Sequence, residues 1–255
     1  MSEKFDELVN IIARLRAPDG CKWDREQTHK TLKQNFIEET YEALDAIDDN
    51  DMKHLQEELG DVLLQVVLHS QIASEEGAFT IDDVADGISK KLVHRHPHVF
   101  GDVKVNSTAE ILDNWEKLKK EEKPHRKSVM DGISPSLPAL FAAYKISKKA
   151  VKTGFEWPNI ESLKECIQSE FTEFEDAVKE EDQNHIEEEM GDILFAVVNL
   201  ARWYKINPEI ALANANKKFM ARFRKMEELS EKPIEENSLE EFDALWKKAK
   251  KSAKS

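Results

Sequence analysis

Four pairs of acidic residues, each pair three positions apart, carry the chemistry this sequence offers: Glu39 with Glu42, Glu58 with Asp61, Glu170 with Glu173, and Glu189 with Asp192. On a helix, that spacing puts both carboxylates of a pair on one face. Glu58/Asp61 and Glu189/Asp192 stand at the mouths of apolar runs, His54 to Gln71 and His185 to Tyr204. A carboxylate taken into a core is costly unless it is paired or binds a metal. Acids make up 51 of 255 residues, so one such pair would be an ordinary solvated helix face. These differ because the first four recur as the last four, displaced by 131 positions. Gln65 and Asn199 continue the polar stripe deeper into each run.

Within each half the two pairs lie on consecutive helices joined by a short connection, Asp48–Asp51 or Glu180–Asn184. Such helices are antiparallel neighbours, and their acids can face each other. Converging carboxylates repel and demand a cation. Hard oxygen ligands without Cys or clustered His select Mg²⁺, with Mn²⁺ or Ca²⁺ as alternatives. Gly60 and Gly191, inside these helices, would let backbone or ligand approach closely.

The second ingredient is basic. Lys91 and Arg95, and Lys218 and Arg222, sit at i, i+4, so each pair shares a face suited to phosphate oxygens. Trp115 and Trp246 could cover a base, and Lys119 and Lys250, one turn later, could reach a phosphate. The histidine-dense His94–His98 has no partner in the second half and reads as a helix end and turn. There is no Gly-rich phosphate loop, and no Ser/His/Asp or Cys/His set stands out.

The elements that must position these residues are helices. Phe5, Leu8, Val9, Ile12 and Leu15 mark the first, followed by a loop around Trp23, expected to be buried. A second helix spans about 31–47, with Phe36, Ile37, Thr40, Leu44 and Ile47 on its core side. A third runs over about 52–74. Capping boxes at Thr80–Asp83 and Ser107–Glu110 open two more. After a stretch punctuated by Pro124, Pro135 and Pro138, helices are expected at about 138–152, 160–179, 186–204, 209–229 and 239–251. Lys90–Arg95 matches Lys217–Arg222 at an offset of 127, and Trp115–Lys120 matches Trp246–Lys251 at 131. The chain therefore reads as an all-α tandem duplication: a first domain over 1–122, a linker over 123–137 and a second domain over 138–255.

Composition narrows the class. Only 8 Gly and 8 Pro among many Glu, Lys, Leu and Ala favour helix. A net charge of −14 argues against a nucleic-acid binder, though not against a polyphosphate ligand held through metal ions. Cys21 and Cys166 form no disulfide framework, no signal segment is evident, and no run spans a membrane. The expectation is a cytoplasmic protein.

Taken together, E-E-T-Y-E at 38–42 with E-E-L-G-D at 57–61, and S-E-F-T-E at 169–173 with E-E-M-G-D at 188–192, resemble the signature of the MazG family. Gly20–Asp24, Arg95–Phe100 and Gly154–Trp157 are similar to it as well. The resemblance implies an all-α nucleoside triphosphate pyrophosphohydrolase. It would cut ribo- and deoxyribonucleoside triphosphates, ATP among them, between the α- and β-phosphates. It further implies Mg²⁺ dependence, a homodimer, Mg²⁺ ligation by Glu170, Glu173, Glu189 and Asp192, and nucleotide contacts from Lys218, Arg222 and Trp246. Glu39, Glu42, Glu58 and Asp61 match the same pattern, so the number of working sites stays open. Glu39 or Glu170 is the candidate general base. One alternative is a non-catalytic dimeric helical scaffold or nucleotide-binding regulator. Another is a di-iron bundle, whose Glu-x-x-His strings Glu26–His29 and Glu122–His125 lie off the acid-bearing helices.

Overall fold

The structure is a computed structural model that describes residues 3–122, 124 and 126–252. The chain divides into two compact units, residues 1–123 and 124–255. Every regular element among the described residues is helical. None of the helices is long and apolar enough to cross a membrane. His125, which completes one of the two Glu-x-x-His strings, and Lys123, where the expected linker begins, lie outside the described residues.

The first unit contains α1 (Glu3–Arg16), α2 (Lys22–Glu26), α3 (Lys33–Asp48), α4 (Met52–Glu75), α5 (Ile81–Arg95), α6 (Pro97–Phe100) and α7 (Thr108–Glu121). Asp51 starts α4 by accepting at Oδ1 from the backbone N–H groups of Lys53 and His54, both at 3.0 Å. Thr80 and Asp83 close the expected capping box on α5. The core joins Ile12 of α1, Leu32, and Val67, Leu68 and Ile72 of α4, with Phe5, Leu8, Val9, Leu64 and Ile81 packed against it. Arg16, almost fully buried, ties three segments together. It forks onto Glu75 at the end of α4, with Nε to Oε1 at 2.9 Å and Nη2 to Oε2 at 2.8 Å. It also donates to the carbonyls of Asp24 and Gln27.

The second unit repeats the plan with α8 (Ala139–Val151), α9 (Ile160–Glu180), α10 (Gln183–Trp203), α11 (Pro208–Leu229) and α12 (Leu239–Ser252). Asn159, Asp182 and Asn207 cap α9, α10 and α11. α8 is fastened to α10 by a buried bond from Ser147 Oγ to Asn199 Oδ1 at 2.6 Å. Met226, Leu245 and Ala249 weld α11 to α12, with Phe223, Phe242 and Trp246 around them. Here Arg202 of α10 holds the loop after α8, pairing with Glu156 through two contacts of 2.6 Å.

Two expectations fail. Trp23 is 56 % exposed and sits in the short helix α2. On α3, Phe36, Ile37, Leu44 and Ile47 point away from the unit's core, Ile37 being 50 % exposed and Thr40 exposed as well. The buried positions of α3 are Ala43 and Ala46, whose small side chains let α4 close against it. Periodicity revealed an apolar stripe but not which side of the helix the partner would cover. A matching stripe is exposed in the second unit at Phe171 and Val178 of α9 and Met190, Leu194 and Val197 of α10.

Two consequences are measurable. The Arg16 guanidinium holds the Glu75 carboxyl below the usual glutamate range. A depressed carboxyl contributes stability above its unfolded pKa of about 4.3, and that contribution is lost as pH falls through the folded value. Thermal melts between about pH 5 and 3 should show Glu75→Gln losing less stability over that interval than the unaltered chain. A methyl group added at Gly60 or Gly191 would meet nothing within 4 Å, so neither helix uses its glycine for a close backbone approach. Gly60→Ala and Gly191→Ala should each add about 0.5–1 kcal/mol to unfolding free energy in urea titrations.

Candidate metal and nucleotide site

α3 and α4 pack along their lengths, as do α9 and α10, and this brings the acids together. In the first unit Glu39, Glu58 and Asp61 each offer an oxygen within 4.8 Å of the others. In the second, Glu170, Glu173 and Glu189 do the same. Glu42 and Asp192 stand outside these trios, a different position of the expected quartet in each unit. Both absentees still act at a distance. Burial is the main cause that raises the Glu39 carboxyl, followed by the charges of Asp61, Glu42 and Glu58. Glu170 is raised chiefly by burial and then by Glu173, Asp192 and Glu189, against a lowering bond from the Cys166 thiol.

The deepest members are Glu58, 6 % exposed, and Glu189, 8 % exposed. Oε2 of each is buried with no hydrogen-bond partner among the described residues. A buried anionic oxygen without a donor is disfavoured, and a cation between the carboxylates would supply what the protein omits. These orphaned oxygens, repeated in both units, fit the hard divalent ion that an all-carboxylate donor set selects. Gln65 and Asn199, further along the same helices, are both buried, and Gln65 Oε1 also lacks a partner.

Sequence reasoning missed two histidines. His54 Nε2 lies 3.0 Å from Glu58 Oε1, and His185 Nε2 lies 3.2 Å from Glu189 Oε1. The signal was available, since both stand four residues before the buried glutamate and are related by the same displacement of 131. Also missed were Ser169, whose Oγ donates to Glu173 at 2.7 Å, and Cys166, whose Sγ lies 3.6 Å from Glu170 Oε1.

The basic and aromatic residues assemble as well. In the first unit Arg95 and Lys119 stand over the Trp115 ring at 5.6 and 5.2 Å. In the second, Arg222 and Lys250 stand over Trp246 at 5.8 and 5.9 Å. Cations on an indole face are held by the ring quadrupole, which pre-places them without neutralising their charge. Of the helices bearing these sets, α5 contacts α4 and α11 contacts α10, while the tryptophans and lysines stand on α7 and α12, which pack on α5 and α11. Lys91 and Lys218 are exposed on α5 and α11. One difference separates the units. Arg95 is occupied by Glu122 in a bidentate ion pair, Nε to Oε1 being 2.9 Å. Arg222 has a buried Nε and no carboxylate partner among the described residues. His96, as expected, ends α5, and its ring leans on that of His98.

Known proteins bear on this arrangement. The model of the MazG nucleotide pyrophosphohydrolase domain matches twice, over residues 27–100 and 159–227. The chain is 48 % identical over 250 residues to the nucleoside triphosphate pyrophosphohydrolase/pyrophosphatase MazG of Thermotoga maritima, covering 96 % of this chain and 95 % of that protein. It is 44 % identical over 258 residues to the nucleoside triphosphate pyrophosphohydrolase of Escherichia coli K12, covering 97 % of each. A crystal structure of a mazG-related protein from Thermotoga maritima matches 45 % of this chain and 98 % of its own, at 28 % identity and a TM-score of 0.40. With two copies of the domain model and full-length relatives at this identity, the chain belongs to the MazG nucleotide pyrophosphohydrolase family.

Proposed function

We propose that the chain hydrolyses ribo- and deoxyribonucleoside triphosphates between the α- and β-phosphates, giving a nucleoside monophosphate and pyrophosphate. The observation that carries this reading is the paired construction in each unit. A carboxylate trio with an orphaned buried oxygen lies on helices adjacent to an Arg–Trp–Lys set. Mg²⁺, or Mn²⁺ in its place, would be held by Glu170, Glu173, Glu189 and Asp192, and by Glu39, Glu42, Glu58 and Asp61. When bound it supplies charge neutralisation on the phosphate oxygens. Lys218 and Arg222, with Lys250, attract the triphosphate and stabilise the leaving pyrophosphate, and Lys91, Arg95 and Lys119 have that role in the first unit. Trp246 and Trp115 provide apolar faces for the base. Glu170 and Glu39, on the helix opposite the deepest acid, accept the proton of the attacking water.

The second unit is assigned the larger share of turnover, because Arg222 is free of the ion pair that occupies Arg95. We place the domains at 1–122 and 138–255, joined by 123–137, and the protein in the cytoplasm as a homodimer. Support for the dimer is the row of exposed apolar residues on α3 and α9, Ile37, Leu44, Phe171 and Val178 among them. Equilibrium sedimentation should give about twice the chain mass of 29.4 kDa, and Leu44→Glu with Leu194→Glu should shift the population towards monomer.

Incubation with a nucleoside triphosphate and Mg²⁺ tests the activity directly. Monophosphate with pyrophosphate is the expected product pair; orthophosphate would mean a different scissile bond, and no product would leave a helical scaffold. In that assay Glu189→Gln should reduce kcat by at least about 100-fold, and Glu58→Gln by much less. Glu39→Gln combined with Glu170→Gln should abolish turnover, and unchanged turnover would remove both from the role of base.

A further inference from the structure

In each unit one histidine stands against the buried glutamate and is itself held in place. His54 and His185 occupy the third position of a capped first turn. Their backbone N–H groups donate to Asp51 Oδ1 at 3.0 Å and to Asp182 Oδ1 at 3.5 Å. Neither ring therefore hangs from a loose helix end. Four residues on, the same face carries Glu58 or Glu189. The imidazole Nε2 comes within 3.0 and 3.2 Å of Oε1 of that residue, while Oε2 stays buried without a partner. In the second unit Glu180, from the end of α9, approaches the other ring nitrogen, Nδ1, at 3.1 Å and braces the imidazole from behind.

We propose that His54 and His185 are positioning residues for the cation site. Each donates its Nε2–H to one oxygen of the buried glutamate and so fixes the carboxylate rotamer, leaving the second oxygen for a divalent ion. The inference rests on the reading that the acid trios hold such an ion. An i, i+4 His–Glu contact on a solvated face would stabilise a helix only slightly. Here the acceptor is more than nine-tenths buried, and an unanchored side chain would lose ion affinity through its rotamer freedom. At His54 a neutral imidazole with hydrogen on Nε2 suffices as donor, whereas at His185, with a carboxylate at each ring nitrogen, donation to both takes the charged ring.

The test uses Mn²⁺ alone as the probe, titrated into the full chain without nucleotide and followed by electron paramagnetic resonance. Glu58→Gln with Glu189→Gln defines the binding that belongs to the trios. His54→Leu with His185→Leu should weaken that binding by about 10- to 100-fold. His54→Gln with His185→Gln, whose amide nitrogen reaches close to the position of Nε2, should restore most of the affinity. If the leucine variant fails to fold, His54→Asn with His185→Asn replaces it, since the shorter amide stays polar but does not reach Oε1. Mn²⁺ affinity unchanged in the leucine or asparagine variant would overturn the inference. So would a loss of nucleotide affinity with Mn²⁺ binding intact, which would assign the histidines to the substrate. If the unaltered chain binds no Mn²⁺ at the trios, the cation reading itself fails, and the positioning role goes with it.

Discussion

Two glutamates taken below the surface, Glu58 and Glu189, set the terms for the helices around them. Such a group is costly without a partner delivered to a fixed place, and among the described residues the fold delivers one to Oε1 and leaves Oε2 without. A capped helix start brings a histidine to Oε1, and a neighbouring helix brings further acids that call for a cation at Oε2. The alanines at 43, 46 and 177 serve the same end, because larger residues would hold the helix pairs apart and separate the carboxylates. The aromatic and basic sets stand on the helices that follow, Arg95 of α5 and Lys119 over Trp115 of α7, and Arg222 of α11 and Lys250 over Trp246 of α12.

Much of this was legible in the sequence because the chain carries its own comparison. A single acidic pair says little, but the same pairs at one fixed displacement, together with Trp115 and Trp246 and the basic residues around them, marked which charges belong to a site. Helix boundaries followed from capping chemistry at Asp51, Thr80 and Asn207. What was not legible depends on what lies across from a residue. The exposed stripe on α3 looks the same in sequence whether α4 covers it or solvent does. The division of four acids into a trio and an outlier turns on side-chain reach, which spacing does not encode. The occupation of Arg95 by Glu122 joins residues on different helices and has no local signature. His54 and His185 were within reach of pattern reading, but a search for metal-ligand clusters passes over a single histidine per unit.

The clamp between the tryptophan loop and the long helix shows a contrast that the acids do not. In the first unit the long helix contributes the acid, Glu75, and the base is Arg16 from α1; in the second the long helix contributes the base, Arg202, and the loop the acid, Glu156. The displacement of 131 relates Arg202 to Gln71 and Glu156 to Arg25, so each unit has placed this lock at positions of its own, because any pair of opposite charges that bridges the segments will serve. The carboxylate clusters carry no such freedom and have kept their sign in both copies. Within one chain, charge that joins protein to protein is interchangeable, and charge that faces something outside the protein is not.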